Sequence, residues 1–507
     1  MGRLFVLAVC IAAPAVLPAQ AVPAHPADLQ FAPSLFEPPA VSGMRFELRN
    51  GLPVYVVPDR SLPLVDIVLA LPVGDRNEAP GEEGMVSMTA AMARRGGAGH
   101  MGPEELDDAI DALGARVDGS SSWTRTVFVL DIGSKALERG LEILASILFE
   151  PRFDEVRLAQ ARANLRVSLA AREDEAHAVL DREWQRLVHG PASPRSRRLT
   201  EASVAAFERD ALAAFHRRFW RQEGAVIAAS GDVEPERLVA RLDELFGSWQ
   251  ALPASQTDAD RKAEPSDVSG EPEAVFEAVA VSPGWWTVDR PGSQAAMALG
   301  HRGAVFDHWD DRDRWALLLL AEILDGPGAV SRLRSRLQLE EGLTYRVVTW
   351  FDLDVVAAEP ASERSADHGV GEFRIFLETA PESAAAAAAA VLEELTRLRR
   401  ATVPEVEIAT ARRSLLARLP LLFDRAETVA GRFAEDELLG RPHGYWSVYG
   451  ERLRAVSAAD IRRAAQRFID PEGVVLAVVG DSEAVRAGRA AEDLRRMLGA
   501  PRLVETQ

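Results

Sequence analysis

At 507 residues the chain exceeds what one ordinary hydrophobic core serves, and about 150 residues per domain would divide it into three or four units. Its hydrophobic content of 47% and charged content of 27% are those of a soluble globular protein. A net charge of −19 excludes a nucleic-acid binder, because no block of Lys and Arg is available to neutralise phosphates. Lys135 and Lys262 are the only lysines, a compositional bias toward Arg.

The N-terminus reads as a targeting segment. Arg3 precedes the apolar run Leu4 to Leu17, and Ala19-Gln20-Ala21 offers the small-x-small pattern of signal-peptidase sites. Residues 1–21 are therefore expected to be a signal peptide cleaved after Ala21, exporting the chain to the periplasm. The apolar run is too short for a membrane anchor, and no later run reaches about 18 uninterrupted apolar residues. The one cysteine, Cys10, lies inside the signal, which excludes disulfides and thiol catalysis in the mature chain. A lipoprotein signal at Leu7-Ala8-Val9-Cys10 is the alternative. Residues 22–44, rich in Pro and Ala, form an extended lead-in.

Phe46 to Val57, FELRNGLPVYVV, predicts a hairpin around Asn50-Gly51, and Val65 to Val73 a buried strand. In Gly84 to Gly97, GMVSMTAAMARRGG, Met85, Met88, Ala91 and Met92 recur at helical spacing and Gly96-Gly97 supply a stop. Ser87, Ala90 and Ala91 stand at i, i+3 and i+4 and share a face of that helix. Glu104 to Leu113 is a second helix; a Gly-Ala-Arg-Val-Asp turn and a strand over Ser122 to Leu130 follow. Helical patterns cover Ser134 to Leu148 and Phe153 to Ala171, and Ala225 to Ser230 is a strand.

The chain then repeats itself. RFWRQEGAVIAASGD (Arg218 to Asp232) and RFIDPEGVVLAVVGD (Arg467 to Asp481) align without a gap, about 250 residues apart. The Asp/Pro/Ser-rich stretch Ala254 to Pro272 has linker composition and falls between the halves. This predicts an α+β protein of two homologous lobes, each a mixed or antiparallel sheet packed with helices. The lobes span 45–250 and 276–495, joined by a linker at 251–275, with a tail at 496–507. In the second half, strands are expected in Trp286 to Leu299, Thr344 to Phe351 and Glu372 to Glu378. Helices are expected over Asp310 to Leu324, from Ser331, over the alanine run capped by Ser383, and over Val403 to Leu416, Arg425 to Leu438 and Ala458 to Phe468.

From Phe46 to Asp481 the chain resembles the two-lobed insulinase-type (inverzincin) metallopeptidases, the family of pitrilysin and the mitochondrial processing peptidase. The resemblance rests on FELRNGLPVYVV, the Gly84 helix, FHRRFW followed by AVIAASGD, SRLRSRLQLEEGLTYRV, and GRPHGYWSVYGERLRAVSAADI, in the family's order. Active members carry H-x-x-E-H on the Gly84 helix: two His bind zinc and the Glu polarises the attacking water. Aligned through Gly84 and Gly96, the first His falls on Ser87, the Glu on Ala90 and the second His on Ala91. A further Glu ligand falls at or beside Ser168. The resemblance thus implies a degenerate member with no zinc of its own.

No two His elsewhere show i, i+4 spacing; His301 and His308 beside Asp310 and Asp311 form the best alternative metal cluster. A general base is typically worth roughly 10²–10⁴-fold, and the metal that makes the nucleophile is missing too. In active complexes of the family the second lobe contributes an Arg and, seven residues on, a Tyr that contact substrate. Tyr345 matches the Tyr, but Gln338 stands at the Arg position, with Arg334 and Arg336 nearby. Tyr345 as a half-buried strand aromatic is the structural alternative. The expected function is a non-catalytic subunit pairing with an H-x-x-E-H homologue, which would hold the zinc, to enclose unfolded peptide. The alternatives are a structural or binding protein without a proteolytic role, and a metalloendopeptidase using unrecognised ligands.

Overall fold

The N-terminal hairpin forms where Asn50-Gly51 predicts it. β1 (Arg45–Glu47) and β2 (Pro53–Pro58) pair antiparallel. Gly51 turns the chain at φ +83°, and the Asn50 amide donates to the Phe246 and Trp249 carbonyls, fastening the turn to the rest of the lobe. The computed structural model describes residues 36–172, 175–249, 283–304, 306, 308–327, 331–353 and 371–504, and Glu37–Gln507 form one unit. The expected signal peptide and linker lie outside the described residues.

β3 (Leu64–Leu71) follows, then α1 (Met85–Arg95), α2 (Pro103–Ala112), β4 (Arg116–Ser121), β5 (Thr126–Gly133) and α3 (Leu137–Phe149). Next come α4 (Glu155–Arg172), α5 (Ala176–His189), α6 (Glu201–Ala205), α7 (Arg209–Phe219), β6 (Val226–Gly231) and α8 (Pro235–Phe246). The six strands form one sheet in the order β1-β2-β6-β3-β5-β4. The expected turn at Gly114 to Asp118 and strand from Ser122 need correction: Arg116–Ser121 is itself the edge strand, and the chain turns at 122–125. Only Val117 of β4 is buried, so the strand lacks the apolar alternation that marks such elements. Gly119 has a specific reason to be glycine. A Cβ there would lie 2.6 Å from the Phe128 ring and 2.9 Å from the Ala90 carbonyl oxygen, so α1 sits on β4 only without it.

The second half contributes β7 (Gly284–Asp289), β8 (Ala295–Arg302), α9 (Arg312–Asp325), β9 (Arg346–Phe351) and β10 (Glu372–Thr379). After them come α10 (Ala384–Arg400), α11 (Glu405–Arg418), α12 (Ala426–Leu438), α13 (Tyr445–Ala455), α14 (Ala458–Phe468), β11 (Val475–Gly480), α15 (Gly488–Leu498) and β12 (Arg502–Leu503). The second sheet runs β12-β7-β11-β8-β10-β9. Five neighbouring strands thus recur in the same order, β2-β6-β3-β5-β4 matching β7-β11-β8-β10-β9. The repeated sequence explains the match: β6 and β11 occupy the same slot, each parallel to one neighbour and antiparallel to the other. The alanine run is helical, but Ser383 does not cap it; a 3₁₀ turn at Pro381–Ser383 leads in and the Ser383 side chain makes no capping bond.

Each sheet is covered by a helix from the other half of the sequence. Val179, Leu180, Trp184, Leu187 and Val188 of α5 pack with Ala296, Ala298, Val475, Ala477 and Val479 of the second sheet. Reciprocally, α12 lies on β2 and β6, where Phe433 stacks on Tyr55 at 6.0 Å. Polar contacts fix both crossings. Glu437 of α12 takes hydrogen bonds from Tyr55 and Arg45, and Trp184 Nε1 of α5 donates to Glu372 at 3.1 Å.

Candidate cavity on the first lobe

α1 begins at Gly84, whose φ of +85° is open to glycine and whose missing side chain leaves the first N–H groups without a local cap. Glu78 supplies the cap from outside the helix, its carboxylate accepting from the N–H of Gly84 at 3.0 Å and Val86 at 2.9 Å. Burial pushes that carboxyl up to about 7, against the two N–H bonds and helped by Asp75 and Glu83 nearby. The helix stops where the glycines predict. A Cβ on Gly96 would meet the Met92 carbonyl oxygen at 2.7 Å, and Gly97 turns at φ +81°.

Met85, Val86, Met88, Thr89, Ala90, Met92 and Ala93 form the inner face of α1. Its opposite side opens on a cavity of about 560 Å³. α4, the β4–β5 turn with Trp123, and the 194–199 segment form the other walls. Ser87, Ala91 and Ser168, three positions singled out from the sequence, meet in this cavity although Ser168 comes from a different helix. Ala90 does not join them: it is 0% exposed and faces the core. The expectation that Ser87, Ala90 and Ala91 share one face therefore holds only for Ser87 and Ala91.

The donor set does not suit zinc. Zinc takes imidazole, thiolate or carboxylate ligands in tetrahedral arrangement. Here Ala91 offers a methyl group, Ser87 a hydroxyl, and Ser168 a hydroxyl that donates to the Asn164 carbonyl at 3.2 Å. The Glu78 carboxylate is held by the helix N–H groups, and Glu83 accepts from Ser203 Oγ at 2.9 Å. Among the described residues no group of three His, Cys, Asp or Glu is placed to hold a metal ion. The alternative cluster does not form either. His301 has Nδ1 2.6 Å from the Arg302 carbonyl and Nε2 accepting from Asp470 N–H, while Asp310 pairs with Arg452 and Asp311 caps α9. Burial lowers the pKa of His301.

Sequence reasoning missed the basic side of the cavity. Arg95 continues the line of Ser87 and Ala91 at successive four-residue steps, and Arg195 and Arg197 reach in from the segment after α5. The Arg195 guanidinium lies 4.9 Å over the Trp123 ring and 3.8 Å from Glu372, tying the cavity wall to the second sheet. The Arg197 guanidinium donates to the Glu78 carbonyl oxygen. Nothing in the local pattern of PASPRSRR marks these residues; the only signal was an Arg-rich loop.

Gln338 and Tyr345 are brought together elsewhere, and neither lines the cavity. Gln338 sits in a π-helical turn, Ser335–Glu340, and its Nε2 donates to the Tyr345 carbonyl at 2.5 Å. Tyr345 is 61% exposed, so the half-buried alternative fails: it precedes β9 rather than lying within it. Hydrogen bonding to Glu378 raises its phenol pKa. Of the neighbouring arginines, Arg334 pairs with Asp325 and Arg336 with Glu341 and Glu393.

Two six-stranded sheets built on one repeated plan, with a cavity beside the helix after the third strand, define a two-lobed peptidase-like protein. Residues 55–188 match "Insulinase (Peptidase family M16)" and residues 206–415 match "Peptidase M16 inactive domain"; the chain belongs to this family. An "uncharacterized zinc protease" of Rickettsia bellii is 23% identical over 442 residues, covering 86% of this chain and 96% of that one. A probable mitochondrial-processing peptidase subunit beta of Arabidopsis thaliana is 21% identical, covering 85% and 77%. Among solved structures, the peptidase M16 inactive domain from Pseudomonas fluorescens superposes with a TM-score of 0.71 at 19% identity, covering 86% of this chain and 98% of that one. A chain of complex III from Candida albicans superposes with a TM-score of 0.65 at 13% identity, covering 90% and 99%.

Proposed function

We propose that the chain is the non-catalytic subunit of an exported insulinase-type zinc peptidase, pairing with an H-x-x-E-H homologue and helping to enclose peptide. The observation that carries this is the cavity itself: Ser87, Ala91 and Ser168 still converge on an open space of about 560 Å³, yet present no metal ligand and no general base. Kinship to a processing-peptidase subunit and a fold shared with a chain of a multi-subunit complex support a subunit role. The Arg3 to Ala21 signal supports export, to the periplasm in a bacterium.

The test is co-expression with an H-x-x-E-H homologue, then peptide cleavage by each chain and by the mixture. Cleavage is expected only with the partner present, and faster in the mixture. Cleavage by this chain alone, or stoichiometric zinc in it, overturns the reading. A binding protein with no proteolytic partner is the second reading, favoured by Gln338 at the Arg position beside Tyr345. Equal partner activity with and without this chain would select it.

A further inference from the structure

The charges around the cavity are unequally engaged. Of the acids, Glu78 is occupied by the N–H groups of α1, and Glu83 accepts from Gly81 N–H and Ser203 Oγ. Asp75 is the third acid lining the cavity, and burial raises its pKa. The cations are more available. Arg95 is exposed and forms no ion pair among the described residues, and Arg197 is bonded to a carbonyl oxygen rather than a carboxylate. The Ser87 hydroxyl adds a neutral donor to the same wall, whereas the Ser168 hydroxyl is spent on the Asn164 carbonyl. An arginine left without a carboxylate in a chain of net charge −19 is a docking point for one, since its planar fork matches the two oxygens.

We propose that this cavity binds the carboxylate of a peptide, with Arg95 and Arg197 as its cationic anchors and Ser87 as a hydroxyl donor. The volume is in the range that holds a few residues of extended peptide. The Trp123 ring, covered by the Arg195 guanidinium at 4.9 Å, forms one wall. The cavity would then have exchanged a cation site for an anion site: peptide is held where relatives cut it. This deepens the peptide-enclosing role proposed above but concerns this chain without a partner, so failure here leaves the co-expression result standing, and the reverse.

The test is fluorescence anisotropy on the purified full chain with four dye-labelled peptides of equal length. One carries Asp and Glu side chains with an amidated C-terminus, one is neutral with a free C-terminal carboxylate, one is neutral and amidated, and one is basic and amidated. At least one carboxylate-bearing peptide is expected to bind about tenfold or more tighter than the neutral amidated one, with the basic one weakest. Whichever carboxylate peptide binds tighter identifies side-chain or C-terminal recognition. Arg95→Gln is expected to weaken that binding about tenfold at an unchanged melting temperature, and Arg95→Lys to restore part of it. Equal binding of acidic and neutral amidated peptides with no gain from a free C-terminus, preference for the basic peptide, or full affinity in a folded Arg95→Gln chain would each overturn the proposal. The wild-type peptide series decides the matter even if the variant fails to fold.

Discussion

α1 and α9 occupy the same place in the two lobes, each following the third strand of the shared five-strand plan, and they are finished in opposite ways. α9 spends its charges internally. Arg314, 2% exposed, donates to the Leu353 carbonyl and to Tyr445 Oη, both at 2.8 Å, and lies over Trp309, Trp315 and Tyr445. Asp313 beside it is held by Arg463 and Arg467 at 2.9 Å. α1 has no such filling; Ser87, Ala91 and Arg95 face an open cavity. The other lobe has a smaller opening of about 190 Å³ at the C-terminal end of α9, lined by Glu322 and Ile323, so the shared topology admits openings of different size and place.

That contrast predicts opposite sensitivities. Arg314→Ala removes a buried guanidinium from an aromatic cage and leaves a carbonyl and a phenol without their donor. It should destabilise the chain by about 3–5 kcal/mol in urea unfolding followed by circular dichroism. A loss below about 1 kcal/mol would mean that the second-lobe cluster is not a structural keystone.

Two carboxylates sharpen the comparison through pH. Burial alone would raise Glu372 of the second sheet, but His189, Trp184 and Arg195 overcome it and pull the carboxyl down to about 2. A depressed carboxylate contributes stability that is present above its unfolded value of 4.5 and lost as pH falls toward 2, on the order of 3 kcal/mol in all. Glu78, raised to about 7, has the opposite sign: its contribution is complete below 4.5 and disappears as pH rises toward 7. Glu372→Gln should flatten the acid limb of a stability–pH curve, and Glu78→Gln the limb between 4.5 and 7. If Glu78→Gln leaves that second limb unchanged, the carboxyl is not held in a desolvated cap.

Ala90, at the position the family resemblance aligns with a Glu, offers a further test. Because Ala90 is fully buried and its carbonyl rests against Gly119, Ala90→Glu would place an unpaired carboxylate in the core. A cost of about 2–3 kcal/mol is expected at neutral pH, shrinking as the pH falls and the carboxyl is protonated. A pH-independent loss would instead indicate simple overpacking.

Much of the frame was legible in the residues. Asn50-Gly51, the apolar run of β3, the Met spacing of α1 and the duplicated RF…EG…GD segment all report local conformations that local chemistry determines. What was not legible depends on distant partners. β4 is polar because it is an edge strand, so no alternation marks it. α5 is amphipathic like any surface helix, and nothing in its own residues says that its apolar face covers the other lobe's sheet. At the site, the convergence of Ser87, Ala91 and Ser168 was visible only through the family resemblance. Glu78 had one usable clue, since a helix starting at Gly84 has no cap of its own and needs one from elsewhere. Arg195 and Arg197 had no clue beyond composition.

The smallest expected effect is the most discriminating for the cavity. Ser87 is exposed, packs into no core and has no hydrogen-bond partner among the described residues, so Ser87→Ala should change stability by less than about 0.5 kcal/mol. If the cavity is an idle remnant, nothing else should change. If it holds a peptide carboxylate, removing one neutral donor should weaken binding of the acidic or free-carboxylate peptide about three- to tenfold while leaving the neutral amidated peptide unaffected. Stability and binding then separate at one side chain, which distinguishes a position kept open for a ligand from one merely left empty.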